Sequence, residues 1–353
     1  MNIYIQAASQ ISFQQPLCEE WMTQPISPKQ AFNEPLEADY KQFITPAESR
    51  RMGKLLKRAV AVSLNTLAKG GCAMPDAIIS GTGLGCVENT EKFLNALIDN
   101  NEECLPPTPF MQSTHNTISS QIALKLQCHG YNSTYSHLGT SFDSALLDAV
   151  LQFEMQQIET ALVGGYDEIT PAYFKMLDKL GYWRKEDVTI AKLKKIGTSG
   201  AIAGDAAVSV LLSNNRNQNT LCQLVDIDIF TCKNLQELPN RCRTFLQKNH
   251  HEQQQIDAVM CGFSGDDAND SVYNTLIEQE FPDTPALWYK HLFGESFCSS
   301  GYGIYAAATC LKMGQNPDIL CYNLASKNIS KLSNILVINH FQKKDYSLTL
   351  LSV

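Results

Sequence analysis

Charge is scarce in this chain. Of 353 residues only 18% are charged, and 28 basic side chains stand against 36 acidic ones, a formal net charge of −8. An acidic chain without a run of Lys or Arg gains nothing from counterion release, so a nucleic-acid backbone is excluded as a partner. Long apolar runs are missing as well. Stretches such as Ala59–Leu64 and Ala161–Gly165 fall far below the roughly 20 residues that a bilayer span needs, so no membrane partner is expected. The opening MNIYIQAASQIS has no basic stretch ahead of an apolar one. It alternates like a strand, and the expectation is a chain without a secretory signal. The 12 cysteines include no CxxC pair and no Cys/His spacing suited to zinc. They are expected to be reduced, mostly buried thiols in a cytoplasm, with no metal and no cofactor.

Apolar material is plentiful: 44% of residues are hydrophobic, with 15 Phe and 13 Tyr. The length suits two to three average domains or one large α/β unit. A first strand is expected at Asn2–Ala7, followed by an irregular, Pro-containing excursion from Pro16 to Pro35. Pro46–Ala68 reads as a helix: Thr45 can cap it, Pro46 takes the first position, and Glu48 completes a capping box. Further strands are expected at Asp76–Ser80, Ser133–His137, Thr160–Val163, Gly204–Leu212 and Gln223–Phe230. Helices are expected at Thr117–Leu126 and Ser141–Ile158. Gly81-Thr82-Gly83-Leu84-Gly85 lacks the last glycine of a dinucleotide fingerprint and reads as a strand-to-helix turn beside a site. The segments MPDAIISGTG and QIDAVMCGFSG share a D-A-apolar-apolar strand that runs into a Gly/Ser turn. This weak duplication places a seam near Ser213–Asn219, with halves 1–215 and 216–353. Alternating strands and helices predict an α/β fold around a mostly parallel sheet.

At Pro107–Pro171 these pieces fall into a recognisable order. The P-x-F before an Asn (Pro109, Phe110, Asn116), a strand into an elbow, a long helix, and ALVGG-x-x-E (Ala161–Gly165, Glu168) resemble the core of a β-ketoacyl-acyl carrier protein synthase. Gly204-Asp205-Ala206-Ala207, Lys290–Gly301 and Asn339-His340-Phe341 sit where later motifs of that family belong. The resemblance implies a thiolase-like fold of two duplicated α/β halves in a five-layered αβαβα sandwich, usually dimeric.

The family's chemistry uses a Cys thiolate at the elbow to take the acyl group as a thioester. Two His side chains then polarise the malonyl thioester as CO2 leaves. Counted from both Asn116 and the GG of ALVGG, the nucleophile position falls on Gly139. The first His position is Gly262, in CGFSGDD. The second lies five residues after the retained Lys290, on Glu295; a rival register would use His291 but needs an insertion. The usual N-x-F-G-F-G-G loop is Asn339-His340-Phe341-Gln342-Lys343-Lys344-Asp345, without its glycines. The resemblance therefore implies a pseudoenzyme: a chain length factor-like subunit that pairs with an active β-ketoacyl synthase and meets acyl carrier protein. Fatty acid, polyketide or aryl polyene synthesis would be its setting, as a heterodimer or a homodimer.

Other readings use other residues. Cys261 or Cys298 as a relocated nucleophile would make the chain a divergent acyltransferase, although small buried residues are the simpler account. His137, Ser141 and Asp143 are close in sequence, but a triad is defined by geometry. Glu295 could serve as an acid or base, or simply balance Lys290. Phe110, Met111, His115, Asn116, Tyr135, Phe263 and Phe341 are expected at a substrate pocket or a dimer interface, together with the two cysteines.

Overall fold

The computed structural model describes residues 2–186, 188–195, 197–315, 317–323 and 331–353. The chain builds one ten-stranded sheet whose two halves repeat each other. The first five strands are β1 (Ile3–Ile11), β2 (Ala77–Gly81), β3 (Tyr131–Tyr135), β4 (Thr160–Asp167) and β5 (Ala206–Ser213). They lie in the order β3-β2-β4-β5-β1. The second five are β6 (Cys222–Thr231), β7 (Ala258–Cys261), β8 (Ala286–Trp288), β9 (Asn334–Phe341) and β10 (Asp345–Ser352). Their order is β8-β7-β9-β10-β6, the same path through space. In each half the second strand runs parallel to two neighbours, and the fifth is antiparallel to its own two. The halves join where β1 meets β6, from Ile3↔Leu224 to Ile5↔Cys222. The two D-A-apolar segments of the sequence are β2 and β7, the equivalent strands of the two halves.

Strands covered on both faces carry near-continuous apolar runs. In β4 every residue from Ala161 to Asp167 is buried, and in β10 every residue from Tyr346 to Leu351. Helices Ser141–Glu154 and Ser300–Met313 fill the space between the halves and share one core with strands of both. The second is buried all along from Ser300 to Leu311, as expected of a helix apolar all round. A second core forms under helices Lys54–Gly70 and Thr117–Leu126, on the far face of the first half. A third forms under Leu238–Lys248 and Asp267–Glu280, on the far face of the second half. The layers are thus helix, sheet, helix, sheet, helix.

Several boundaries differ from the sequence expectation. The helix expected over Pro46–Ala68 is two helices, Pro46–Ser49 and Lys54–Gly70. The Thr45–Glu48 capping box is present, but Gly53 is extended (ψ 168°) and restarts the chain as a new N-cap. β3 begins two residues before the expected Ser133 because it zips onto β2 from Ala77↔Tyr131 to Gly81↔Tyr135. The helix from Ser141 stops at Glu154, not Ile158, because Gln156 takes a positive φ of 56°. Ala203–Gly204 pairs with Phe32–Asn33 in a small separate sheet, so β5 starts at Ala206. No helix among the described residues is long and apolar enough to cross a membrane.

Candidate functional site

The ends of β4, β7 and β9 and the turn after β2 surround a cavity of about 510 Å³. Both halves contribute to its wall. Leu84, Leu138, Asp167 and Glu168 come from the first; Gly262, Lys290, Glu295 and Phe341 come from the second. Leu138 sits at the apex of the strand-to-helix bend with φ 49°, an uncommon conformation for a side chain of that size.

One ion pair forms the polar floor. Lys290 Nζ lies 2.7 Å from Glu295 Oε2, and Ser299 Oγ donates to Glu295 Oε1 at 3.0 Å. The Lys290 side chain is 4% exposed and that of Glu295 28%, so the lysine depends on this carboxylate for its charge balance. Three further carboxyls hold the surrounding turns. Asp167 Oδ1 accepts from Thr82 Oγ1 and Gly83 N–H at 3.1 and 2.8 Å. Glu168 Oε1 accepts from Glu88 N–H at 2.9 Å. Asp270 accepts from Ser264 N–H and Gly265 N–H at 2.9 and 2.7 Å. Burial pushes Asp167 up to about 6, and Glu168 and Asp270 up to about 7, against those hydrogen bonds. Among the described residues, the one imidazole on the wall is His340. Its Nε2 donates to Asn269 O at 3.1 Å, its Nδ1 accepts from Lys343 N–H at 3.3 Å, and its ring stacks on Tyr273. Burial, with Lys290 nearby, lowers it to about 3. It is neutral with both nitrogens engaged, which leaves no donor for a substrate carbonyl.

The structure brings Gly262, Lys290, Glu295 and Phe341 together around this cavity, with Gly139 next to Leu138 behind its wall. His291 is elsewhere. It stacks on Trp288 at 3.8 Å, and its Nε2 meets Ile319 O at 2.9 Å; burial drives it well below its ordinary value. Cys261, Phe263 and Cys298 are fully buried and absent from the cavity wall. Burial raises both thiols well above the usual range, the opposite of an activated nucleophile. Phe110, Met111, His115 and Asn116 are exposed, and Tyr135 ends the outermost strand; none of the five reaches the cavity. His137 pairs its Nδ1 with Ser144 Oγ, Ser141 donates to Leu138 O, and Asp143 accepts from Ser300 Oγ. No relay connects those three residues.

Sequence reasoning missed Asp167, Asp270 and the support for the Glu168 loop. Arg58, 5% exposed, bridges Glu37 and Asp205 at 2.6 and 2.5 Å, and Asp205 Oδ1 accepts from Ile169 N–H at 2.8 Å. The Gly-Asp-Ala-Ala motif thus carries the aspartate that anchors the cavity wall. Nothing in the spacing of Arg58 announced its partner 147 residues away. No group of three or more potential metal ligands occurs among the described residues.

Residues 19–222 match the family description "Beta-ketoacyl synthase, N-terminal domain". The chain belongs to the β-ketoacyl synthase family. Among curated proteins none matches the sequence. Among solved structures it is similar to the ishigamide ketosynthase/chain length factor, with TM-score 0.82, 15% identity, and 100% and 99% of the two chains covered. It is also similar to a β-ketoacyl synthase from Burkholderia phymatum, with TM-score 0.79, 12% identity and 99% of each chain. A third is a ketosynthase in complex with its chain length factor from Xenorhabdus doucetiae, with TM-score 0.78, 14% identity, and 100% and 98% covered. The fold is the thiolase-like ketosynthase fold, spanning the full chain.

Proposed function

We propose that this protein is a non-condensing ketosynthase subunit that pairs, in the manner of a chain length factor, with an active β-ketoacyl synthase. The observation that carries this reading is the cavity itself. Where the family needs a thiolate and two imidazoles, the chain offers Gly139, Gly262 and Glu295. Among the described residues the wall supplies no thiol, and its only imidazole is neutral and fully bonded. A relocated nucleophile is disfavoured because Cys261 and Cys298 are buried away from the cavity and strongly protonated.

The pairing half of the proposal rests on β3. It is the last strand of the sheet and, among the described residues, pairs with β2 alone, so its outer backbone groups are open to a further strand. Apolar side chains on the elements next to that edge are exposed. Met111 is 66% exposed, Phe110 54%, and Met155, just past the helix Ser141–Glu154, 56%. Such a surface fits a subunit of the same fold docking edge to edge, with acyl carrier protein delivering to the assembled pair. We read the chain as two copies of one unit, 1–215 and 216–353, acting in fatty acid, polyketide or aryl polyene synthesis.

Co-expression with an intact Cys-His-His synthase encoded nearby tests this. The expected result is one heterodimer by native mass spectrometry, with condensation dependent on the partner's cysteine. Separate elution of the two chains, with the partner fully active alone, would sink the proposal.

A further inference from the structure

Glycine at a catalytic position can arise in two ways. A side chain can be lost and leave a gap, or the space can be taken over by neighbours. The backbone at residue 139 decides between them. Gly139 is buried and has no positive φ, so its conformation does not demand glycine. What demands it is Phe341. A Cβ built on Gly139 would lie 2.5 Å from the Cβ, Cγ and Cδ2 of Phe341. The same device recurs at the neighbouring turn. A Cβ on Gly83 would lie 2.3 to 2.5 Å from Cδ2, Cγ and Cβ of Phe297. The two rings touch each other, with centroids 5.7 Å apart and planes at 60°, and both line the cavity.

We propose that Phe341 and Phe297 are exclusion residues: Phe341, set into Gly139, occupies the space of an acyl-enzyme nucleophile, Phe297 is set into Gly83 beside it, and together they shut an acyl thioester out of the elbow. This rests on residue 139 as the nucleophile position. The contact includes the Cβ of Phe341, an atom fixed by the backbone of β9. Turning the ring to another rotamer therefore leaves the clash in place. Truncation to alanine leaves it too, and only glycine at 341 removes it. The first half's elbow and the second half's last hairpin are interlocked, and the loss of the thiol is built into packing rather than into one codon.

A double-mutant cycle tests this. Gly139→Ala, which adds only the Cβ, is combined with Phe341→Ala and with Phe341→Gly, and Tm is read for each. The expected pattern is a large loss for Gly139→Ala in the parent and in the Phe341→Ala background, and a much smaller loss in the Phe341→Gly background. Equal losses in all three backgrounds, or none, overturn the proposal. If Phe341→Gly does not fold, the same cycle is run on Gly83→Ala with Phe297→Gly, under the same criteria. A chemical arm uses Gly139→Cys. With Phe341→Gly, iodoacetamide should alkylate the thiol at position 139 at least tenfold faster than in Gly139→Cys alone, as followed by peptide mass spectrometry. Equal rates contradict the interlock. Both arms measure this chain's own packing, so they succeed or fail independently of whether a partner subunit is found.

Discussion

At the residue scale, burial holds several groups at and around the site in their uncharged forms. Cys261 and Cys298 are pushed toward the thiol by burial, and Cys298 also by the nearby Asp167. Treatment of the native protein with iodoacetamide or cerulenin at neutral pH should therefore modify exposed Cys104 and leave both buried thiols intact by peptide mass spectrometry. Rapid modification of Cys298 would revive a relocated nucleophile. The raised carboxyls give a second expectation. Glu168 and Asp270, near 7, and Asp167, near 6, hold protons in the folded chain that the unfolded chain, near 4, has released. Their penalty is complete above pH 8 and is relieved as pH falls through the folded values. His340 and His291 work the other way: both are held neutral in the folded chain, and their penalty sets in as pH approaches the unfolded value of about 6.5. Between pH 8 and 6.5, stability should thus rise by a net of about 1 kcal/mol as pH falls. Denaturant midpoints across that window check it, and a flat or opposite trend contradicts the assignment. Much of this was hidden in the sequence. Gly139, Gly262 and Glu295 could be located by counting between motifs, whereas Asp167 and Asp270 became visible only when their turns folded back onto them.

At the scale of elements, motifs with local physics were legible and contacts over long separations were not. The Thr45–Glu48 capping box forms as its spacing demands, since all its partners lie within one turn. The break at Gly53 escaped a reading based on apolar periodicity, because the pattern continues through the interruption. The ion pair between Arg58 and Asp205 joins a helix of the first half to the residue just ahead of β5, and with Ile169 N–H it fixes the loop bearing Glu168. Arg58→Met would leave Asp205 buried without its cation, at a cost of about 3 kcal/mol in chemical denaturation. A loss below about 1 kcal/mol would show that the network contributes little. The open edge of β3 supports a different expectation. Met111→Glu lies on a surface helix (66% exposed) and should leave Tm within a degree or two while abolishing co-elution with the partner synthase. Retained co-elution would place the interface elsewhere.

At the scale of the whole molecule, the duplication seen faintly as DAIISGTG and DAVMCGFSG becomes two five-stranded halves of one sheet, identical in strand order and joined by β1 and β6. The repeat was readable because equivalent strands face the same double-sided burial and so keep the same apolar pattern. The layered order of helices was readable only through the family resemblance, since no periodicity says which helix lies between the halves. In this frame the cavity at the strand ends has a lysine–glutamate floor, and among the described residues its wall carries no cysteine. The account stands on that point, and the isolated chain tests it most directly. The purified protein would be incubated with acyl- and malonyl-loaded carrier protein, then examined by intact-protein mass spectrometry and by product analysis. The account predicts an unmodified mass and no β-ketoacyl product. A stable acyl adduct on this chain, together with condensation at the rate of an ordinary synthase, would contradict it.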